Sequence, residues 1–343
     1  MGKVNYLYAS DNNFAKVLGV SLFSLLINNK ENVNKVFIIS QNISKENKEK
    51  ILDIEKKLNV NNVIEFVNMP DIDKIIGEKV DIKRYSISMF SRIMIDTVLP
   101  RDITKIIYLD CDTIIKNNLI DLWNVELEGK IIGAVNDYRS IYYQKNLGIK
   151  KENCYINSGV LLIDLDKYRK ENMEGKLLDA IKKYNGILEF PDNDVICKVA
   201  QDQIKLLPLK YNITSVFFMT NYYELLKLRK PNKIDKKEIY ENAITNPMII
   251  HFTTCFLMKG RPWLKGCNHP FTSEYLELYK QTPWKDEELL KEKMNISKKI
   301  KQLIVKITPR CILISVCGLL HAYLKPFGQR KRLRIVRENV EEE

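Results

Sequence analysis

The sequence predicts an α/β protein with a mostly parallel sheet covered by helices on both faces. Two observations point to this. Short apolar runs alternate with helical patterns over the first 165 residues, and no internal repeat or long Gly/Ser linker interrupts them. The 343-residue length accommodates one large α/β domain with an appendage, or two domains. A composition of 45% hydrophobic and 29% charged residues excludes a disordered chain, a collagen and a disulfide mini-scaffold.

The elements follow in order. Val4–Ala9 reads as a strand, Ala15–Ile27 as a helix, Val36–Ile39 as a strand and Lys45–Leu58 as an amphipathic helix. Val63–Val67, Ile106–Leu109, Ile131–Val135 and Val160–Ile163 supply further strands. Ser86–Val98 carries apolar residues at helical spacing and ends before Pro100. Seven Cys without a paired C-x-x-C framework read as free thiols in a reducing compartment. Val4–Ala9 is too short for a signal peptide and Asp11 follows at once, so a cytosolic protein is expected.

The net charge of +12 is not evenly spread. Lys298 to Arg337 holds eleven Lys or Arg and no Asp or Glu, which leaves the rest of the chain at +1. Within this segment the uncharged stretch Cys311–Leu324 is fourteen residues long, short of the roughly 20 needed to span a bilayer. An apolar face flanked by cations suits a helix lying in an anionic membrane surface, where each nearby Lys or Arg contributes about 1 kcal/mol. The expected location is therefore peripheral, on the inner face of the plasma membrane. No aromatic residues interleave with the basic cluster, which argues against nucleic acid.

In a parallel α/β sheet, ligands bind at the carboxyl ends of the strands. The polar residues there are Asp11 and Asn13, Asp110 and Asp112, Asp137 and, just before a strand, Asn157 and Ser158. Residues 106–113 run from a buried strand into two carboxylates one residue apart. Converging carboxylates repel unless a cation neutralises them, and Mg²⁺ or Mn²⁺ does so while leaving positions for phosphate oxygens. The alternative is a turn in which both Asp cap backbone amides. His251 also ends an apolar run, and as a third ligand it favours Mn²⁺ over Mg²⁺. Lys259, Gly260 and Arg261 lie close enough in sequence to meet a diphosphate, or else form a solvated basic loop.

Tyr8-Ala-Ser-Asp-Asn-Asn-Phe14, Ser86-Ile-Ser-Met-Phe-Ser-Arg92, Tyr108-Leu-Asp-Cys-Asp112, Asn157-Ser-Gly-Val-Leu-Leu-Ile163, Pro191-Asp-Asn-Asp194, and His251 with Pro262-Trp263 occur in this order. Together they resemble the bacterial family 8 glycosyltransferases, which include lipopolysaccharide galactosyltransferases and glycogenin-like enzymes. The likeness covers roughly residues 3–265. It implies a GT-A fold, Rossmann-like with a central sheet flanked by helices. Residues 1–270 would then form the nucleotide-sugar-binding catalytic domain, and residues 271–343 a helical, basic carboxy-terminal segment. It also implies a UDP-sugar donor, Mn²⁺ and retention of anomeric configuration.

By position, the resemblance gives Asp110, Asp112 and His251 to the metal. Ala9, Asp11 and Asn13 would hold uridine and ribose, with Cys111 facing the nucleotide. Arg92 would lie beside the donor sugar and diphosphate, and Asn157 and Ser158 would contact sugar hydroxyls. Asp137 and Asp192 would line the sugar–acceptor site, with Asn193 near the anomeric carbon. Three positions depart from the family pattern. Asn193 stands where Gln is usual, and Thr254 where a Gly follows the metal His. The longer interval from His251 to Pro262 leaves the phosphate-binding cation open between Lys259 and Arg261. Structural roles exist for several of these residues: Asp11 and Asn13 as caps of the following helix, Arg92 as a surface residue, and Asn157 and Ser158 as a turn.

The function expected on this basis is hexosyl transfer, of glucose or galactose, from a UDP-sugar to a lipid-linked or cell-surface glycan. The alternatives are a non-catalytic nucleotide-sugar binder and a metal-dependent nucleotidyltransferase. Against the latter, the chain lacks a G-x-x-x-x-G-K-[ST] phosphate loop.

Overall fold

The computed structural model describes residues 3–60, 63–70, 75, 90–184, 188–292 and 295–341. A seven-stranded sheet has the order β3-β2-β1-β4-β7-β6-β8. Its strands are β1 (Val4–Asp11), β2 (Val33–Gln41), β3 (Ile64–Asn68), β4 (Lys105–Leu109), β6 (Ile132–Asn136), β7 (Ile156–Asp164) and β8 (Ile204–Leu207). Four neighbouring pairs are parallel, and β7 runs antiparallel to both β4 and β6. A second sheet has the order β5-β10-β9, from β5 (Thr113–Ile115), β9 (Ile213–Thr214) and β10 (Ile249–His251).

The strands are apolar on both faces because each face covers a separate core. Val4, Tyr6 and Tyr8 of β1, Val36 and Ile38 of β2, and Ile107 and Leu109 of β4 enter one core. The alternate residues Leu7, Ala9, Phe37, Ile39, Ile106 and Tyr108 enter the other. This is the period-two split of a strand buried on both sides. Helix α1 (Ala15–Asn29) lies within the first core, with twelve of its fifteen residues buried. There Gly19 admits the Trp284 ring, since a Cβ would stand 2.2 Å from Trp284 Cζ3. Helix α2 (Lys45–Leu58) starts at Ser44, whose side chain accepts from the Asn47 amide.

Several expectations change. Asn157 and Ser158 do not precede the strand; they are buried within β7, where the pairing with β6 shifts register between Ala134 and Val135. A polar pair is tolerated there because side-chain partners replace lost ladder bonds. The Ser86–Val98 helix falls partly outside the described residues. Its described part turns at residues 92–94 before a short helix, Ile95–Val98. Packing also runs past residue 270, because Tyr275, Tyr279 and Trp284 belong to the first core.

The remaining helices used below are α3 (Ile141–Leu147), α4 (Pro191–Val199), α5 (Tyr222–Arg229), α6 (Ile296–Ile307), α7 (Arg310–Leu319) and α8 (Lys325–Glu341). A π-turn, Leu320–Leu324, joins α7 to α8. The stretch judged too short to span a bilayer thus lies in a continuous 25-residue helix, Arg310–Arg334, long and apolar enough to do so by length and composition. A third of its most apolar window is buried against the body. Gly318 permits that contact, since a Cβ there would meet the Lys227 carbonyl oxygen at 2.7 Å.

Candidate active site

β4 runs directly into Asp110, whose amide donates to the Gly159 carbonyl (2.8 Å) and so continues the pairing with β7. The chain then turns into β5. Antiparallel pairing sets His251 at the end of β10 opposite Thr113, and the Phe252 amide donates to the Asp112 carbonyl (2.8 Å). The small sheet therefore delivers an imidazole to the carboxylate pair, although 139 residues separate His251 from Asp112 in sequence.

His251 Nε2 lies 3.2 Å from Asp112 Oδ1 and 3.7 Å from Asp110 Oδ2. The other carboxylate oxygens are held by cations. Arg92 Nη2 donates to Asp110 Oδ1 (2.7 Å) and Arg261 Nη1 to Asp112 Oδ2 (3.1 Å). Asp110, Asp112 and His251 can each offer one ligand atom, all within 4.8 Å of one another. Gly159 makes the space, because a Cβ would stand 2.3 Å from His251 Cε1 and 2.8 Å from Asp110 Oδ2.

Charge at the cluster is finely balanced. Burial pushes the Asp110 carboxyl up, with Arg92 and His251 opposing incompletely. Burial acts the same way on Asp112, but His251 and Arg261 outweigh it and hold that carboxyl low. Burial would lower the His251 imidazole, yet Asp112 and Asp110 raise it. Two carboxylates and one imidazole form an oxygen-and-nitrogen donor set that fits a divalent cation. The Cys111 thiol instead donates to the Ala9 carbonyl (3.0 Å), and burial pushes it far up, away from thiolate chemistry.

Arg92 is only 6% exposed and is not a surface residue. Beyond Asp110, its Nη1 contacts Ser158 Oγ (2.7 Å) and Asp192 Oδ2 (2.8 Å). Ser158 Oγ donates to the same Asp192 oxygen (2.8 Å), and the Ser158 amide to Asn193 Oδ1 (2.8 Å). Ser158 thus fastens the start of α4 to Arg92. A cavity opens beside the cluster, lined by Ala9, Ser10, Asp11, Phe14, Ile39, Gln41, Ser91, Arg92, Asp110, Cys111, Asp112 and Arg261. Asp11 also caps the turn after β1, with Oδ1 accepting from the Phe14 amide (2.9 Å).

Not every candidate is brought here. Asn13 is exposed and does not line the cavity. Lys259 is exposed and lines a separate hollow with Lys265 and Gly266, so of the two cations only Arg261 meets the cluster. Asp137 is 2% exposed, is paired with Arg139 Nε and does not line this cavity. Asn157 Oδ1 accepts from the Gly159 amide (3.0 Å) and from Asn212 Nδ2 (2.8 Å), and Asn212 Oδ1 faces His251 Nδ1 at 2.9 Å. Sequence reasoning missed Asn212 because it precedes a two-residue strand with no periodic pattern.

Comparison with known proteins agrees with this geometry. Residues 5–267 match the sequence model of glycosyl transferase family 8. General stress protein A of Bacillus subtilis strain 168 is 27% identical over 280 residues, covering 80% of this chain and 92% of that protein. A lipopolysaccharide 1,2-glucosyltransferase of Escherichia coli K12 is 23% identical, covering 88% and 86%. Among solved structures, the galactosyltransferase LgtC, in complex with donor and acceptor sugar analogues, superposes with a TM-score of 0.67 at 19% identity. It covers 87% of this chain and all of that one. The mostly parallel sheet flanked by helices is the GT-A fold of such neighbours, and the chain belongs to glycosyltransferase family 8.

Proposed function

We propose that the protein is a retaining, Mn²⁺-dependent hexosyltransferase. It moves glucose or galactose from a UDP-sugar to a lipid-linked or cell-surface glycan at the inner face of the plasma membrane. The observation that carries this reading is the convergence of Asp110, Asp112 and His251 at the wall of a cavity that also holds Arg92 and Arg261.

In this reading Asp110, Asp112 and His251 hold the metal, which when bound supplies positive charge to the donor diphosphate. Ala9, Asp11 and Cys111 border the nucleoside. Among the described residues Asp11 Oδ2 has no partner and is open to ribose hydroxyls. Arg261 contributes a guanidinium on the diphosphate side, where charge develops as UDP departs. Ser158 and Arg92 fix Asp192 and Asn193 at the sugar side of the cleft. One Asp192 oxygen is bound by both a cation and a hydroxyl, which weakens it as a nucleophile. That favours front-face substitution, in which a leaving phosphate oxygen takes the acceptor proton, over a covalent intermediate on Asp192.

The membrane part of the proposal rests on α6, whose exposed face carries Ile296, Ile300, Leu303, Ile304 and Ile307 among Lys298, Lys299, Lys301 and Lys306. The first test is UDP release from a panel of UDP-sugars with Mn²⁺, Mg²⁺ or EDTA, beside Asp112→Asn. Mn²⁺-dependent release from one donor, abolished by the substitution, is the expected result. Absence of UDP binding would overturn the reading, and binding without turnover under any acceptor would indicate a non-catalytic binder.

A further inference from the structure

The carboxy-terminal helix α8 reaches the back of α4 through a chain of side-chain amides. Asn146 Nδ2 of α3 donates to the Pro326 carbonyl (2.6 Å) and to Gln329 Oε1 (3.1 Å), and Gln329 Nε2 donates to Asp194 Oδ2 (3.1 Å). Gln329 and Asp194 are both fully buried. The chain has a fixed direction. The Pro326 carbonyl only accepts, so Asn146 turns its nitrogen that way; Gln329 then offers its oxygen to Asn146 and its nitrogen to the carboxylate.

Asp194 closes the first turn of α4. Phe190, at the N-cap, supplies no side-chain cap, and Pro191 has no amide to donate. The Asp194 carboxylate reaches back instead. Its Oδ2 accepts from the Glu189 and Phe190 amides (3.1 Å each) and its Oδ1 from the Tyr155 hydroxyl. Asp192 and Asn193, within the same turn, are the residues that Ser158 holds on the cleft side (2.8 Å each). The turn is thus clamped by Ser158 in front and by Asp194 behind. Burial raises the Asp194 carboxyl to about 6, which leaves it mainly ionised at neutral pH, where donors to it are charge-assisted. Among the described residues that donate to Asp194, Gln329 alone comes from the carboxy-terminal segment.

We propose that Gln329 is a positioning residue for the sugar side of the cleft. Through Asp194 it holds the first turn of α4, and with it Asp192 and Asn193, against the donor hexose. Helix α8 is then part of the transfer site as well as an attachment. The inference rests on reading Asp192 and Asn193 as the hexose side of the site. Among the described residues, the partners of Asp110, Asp112, His251 and Arg261 lie outside α8, so metal and UDP affinity are independent of Gln329.

The test compares the affinity for UDP with that for UDP-glucose and UDP-galactose, by calorimetry on the full-length protein with Mn²⁺. In Gln329→Leu, UDP affinity should stay within about twofold of wild type, while the preferred UDP-hexose loses about tenfold relative to UDP. Arg310→Gln is the control. It breaks the pair with Glu224 (2.6 Å) that docks the same segment on α5, and should leave the ratio of the two affinities unmoved. Gln329→Glu, of equal size, gives a second readout should Gln329→Leu fail to fold. Its carboxyl can share a proton with Asp194 in acid and must repel it once both are ionised, so its ratio relative to wild type should fall from about pH 6 to about pH 8. Tyr155, Asp192, Arg139, Glu189 and Arg332 surround the pair in both proteins and cancel in that comparison. An unmoved ratio in Gln329→Leu, an equal fall for UDP and UDP-hexose, the same change in Arg310→Gln, or a flat pH profile in Gln329→Glu would overturn the positioning role alone. A wild-type protein that binds no UDP would overturn the transferase reading and this inference with it.

Discussion

Asn212 Oδ1 stands 2.9 Å from His251 Nδ1, while the amide nitrogen of the same side chain donates to Asn157 Oδ1. The direction of this relay is fixed at its far end, because Asn157 Oδ1 also accepts from the Gly159 backbone amide. Asn212 must therefore present its oxygen to the imidazole, and Nδ1 must carry a proton. With a metal bound, the Nε2 lone pair is left facing Asp110 and Asp112. Removing such a supporting partner typically costs 10–100-fold in metal affinity. Asn212→Ala is expected to weaken Mn²⁺ binding within that range, measured as free Mn²⁺ by electron paramagnetic resonance. An affinity within twofold of wild type would show that the relay does not orient the ligand.

Gly159 offers a sharper steric test. Gly159→Ala drives a methyl group into His251 Cε1 and Asp110 Oδ2 from the middle of a buried strand. Backbone and side chains must move apart, at a cost of about 1–3 kcal/mol. The expected outcome is a lowered unfolding midpoint and Mn²⁺ affinity below that of Asn212→Ala, since two of the three ligands are displaced. Both are read by urea unfolding and metal titration on one preparation.

Arg92 bridges Asp110, Ser158 and Asp192 from a buried position, so its loss leaves two carboxylates without their cation. Breaking buried pairs in this way costs about 3–5 kcal/mol. Arg92→Gln is expected to lose stability of that order in EDTA and distinctly less in saturating Mn²⁺, because an ion at the same carboxylates replaces part of the missing charge. Equal losses under both conditions would mean that the cluster takes no cation.

Much of this arrangement was legible in the sequence, and the gaps share a cause. Buried runs such as Val4–Ala9 and the 3.6-residue pattern of Lys45–Leu58 announce their elements locally, and β4 delivers Asp110 and Asp112 where an apolar run meets two acids. Asn157 and Ser158 read as a turn because polar residues rarely occupy buried strands. Their partners, Asn212, Arg92 and Asp192, lie 34 to 66 residues away. Lys259 and Arg261 were indistinguishable by type. Between them Gly260 adopts φ +61°, which few other residues tolerate, and only Arg261 meets the cluster. The basic apolar tail was plain in composition, but its docking through Gly318 and Gln329 depends on surfaces that form only in the fold.

His269 contributes stability that is lost in mild acid. His269 is buried, and burial lowers its imidazole to about 4, with Nε2 lacking any partner among the described residues. Above its ordinary value of 6.5 both folded and unfolded chains hold it neutral. As pH drops below 6.5 the unfolded chain takes up the proton and the folded chain does not, so stability is lost progressively down to about pH 4. The shift corresponds to about 3 kcal/mol. His321 has the same sign. Asp194 opposes them: burial raises its carboxyl to about 6, so the folded chain binds that proton first and gains stability as pH falls through the same window. His269→Gln should flatten the pH 6.5-to-4 slope of the urea midpoint, and an unchanged slope would exclude His269 as a source.

Deleting the carboxy-terminal segment does not test membrane binding cleanly. Gln329 Nε2 donates to Asp194 Oδ2 (3.1 Å), and Asp194 also accepts from Tyr155 and from the Glu189 and Phe190 amides at the start of α4. A truncation would therefore disturb the helix carrying Asp192 and Asn193 as well as any lipid contact. The exposed face of α6 is separable, since Ile300, Leu303 and Ile307 are 52%, 56% and 69% exposed and none belongs to a buried core cluster. Full burial of one such side chain is worth about 1.5–3 kcal/mol. The triple variant Ile300→Asp, Leu303→Asp, Ile307→Asp is expected to lose about 100-fold or more in affinity for phosphatidylglycerol vesicles, while UDP binding persists. Raising the salt from 0.05 to 0.5 M should weaken the wild type as the basic residues are screened. Vesicle flotation that is unchanged in the variant and at high salt would place this face elsewhere than on a membrane.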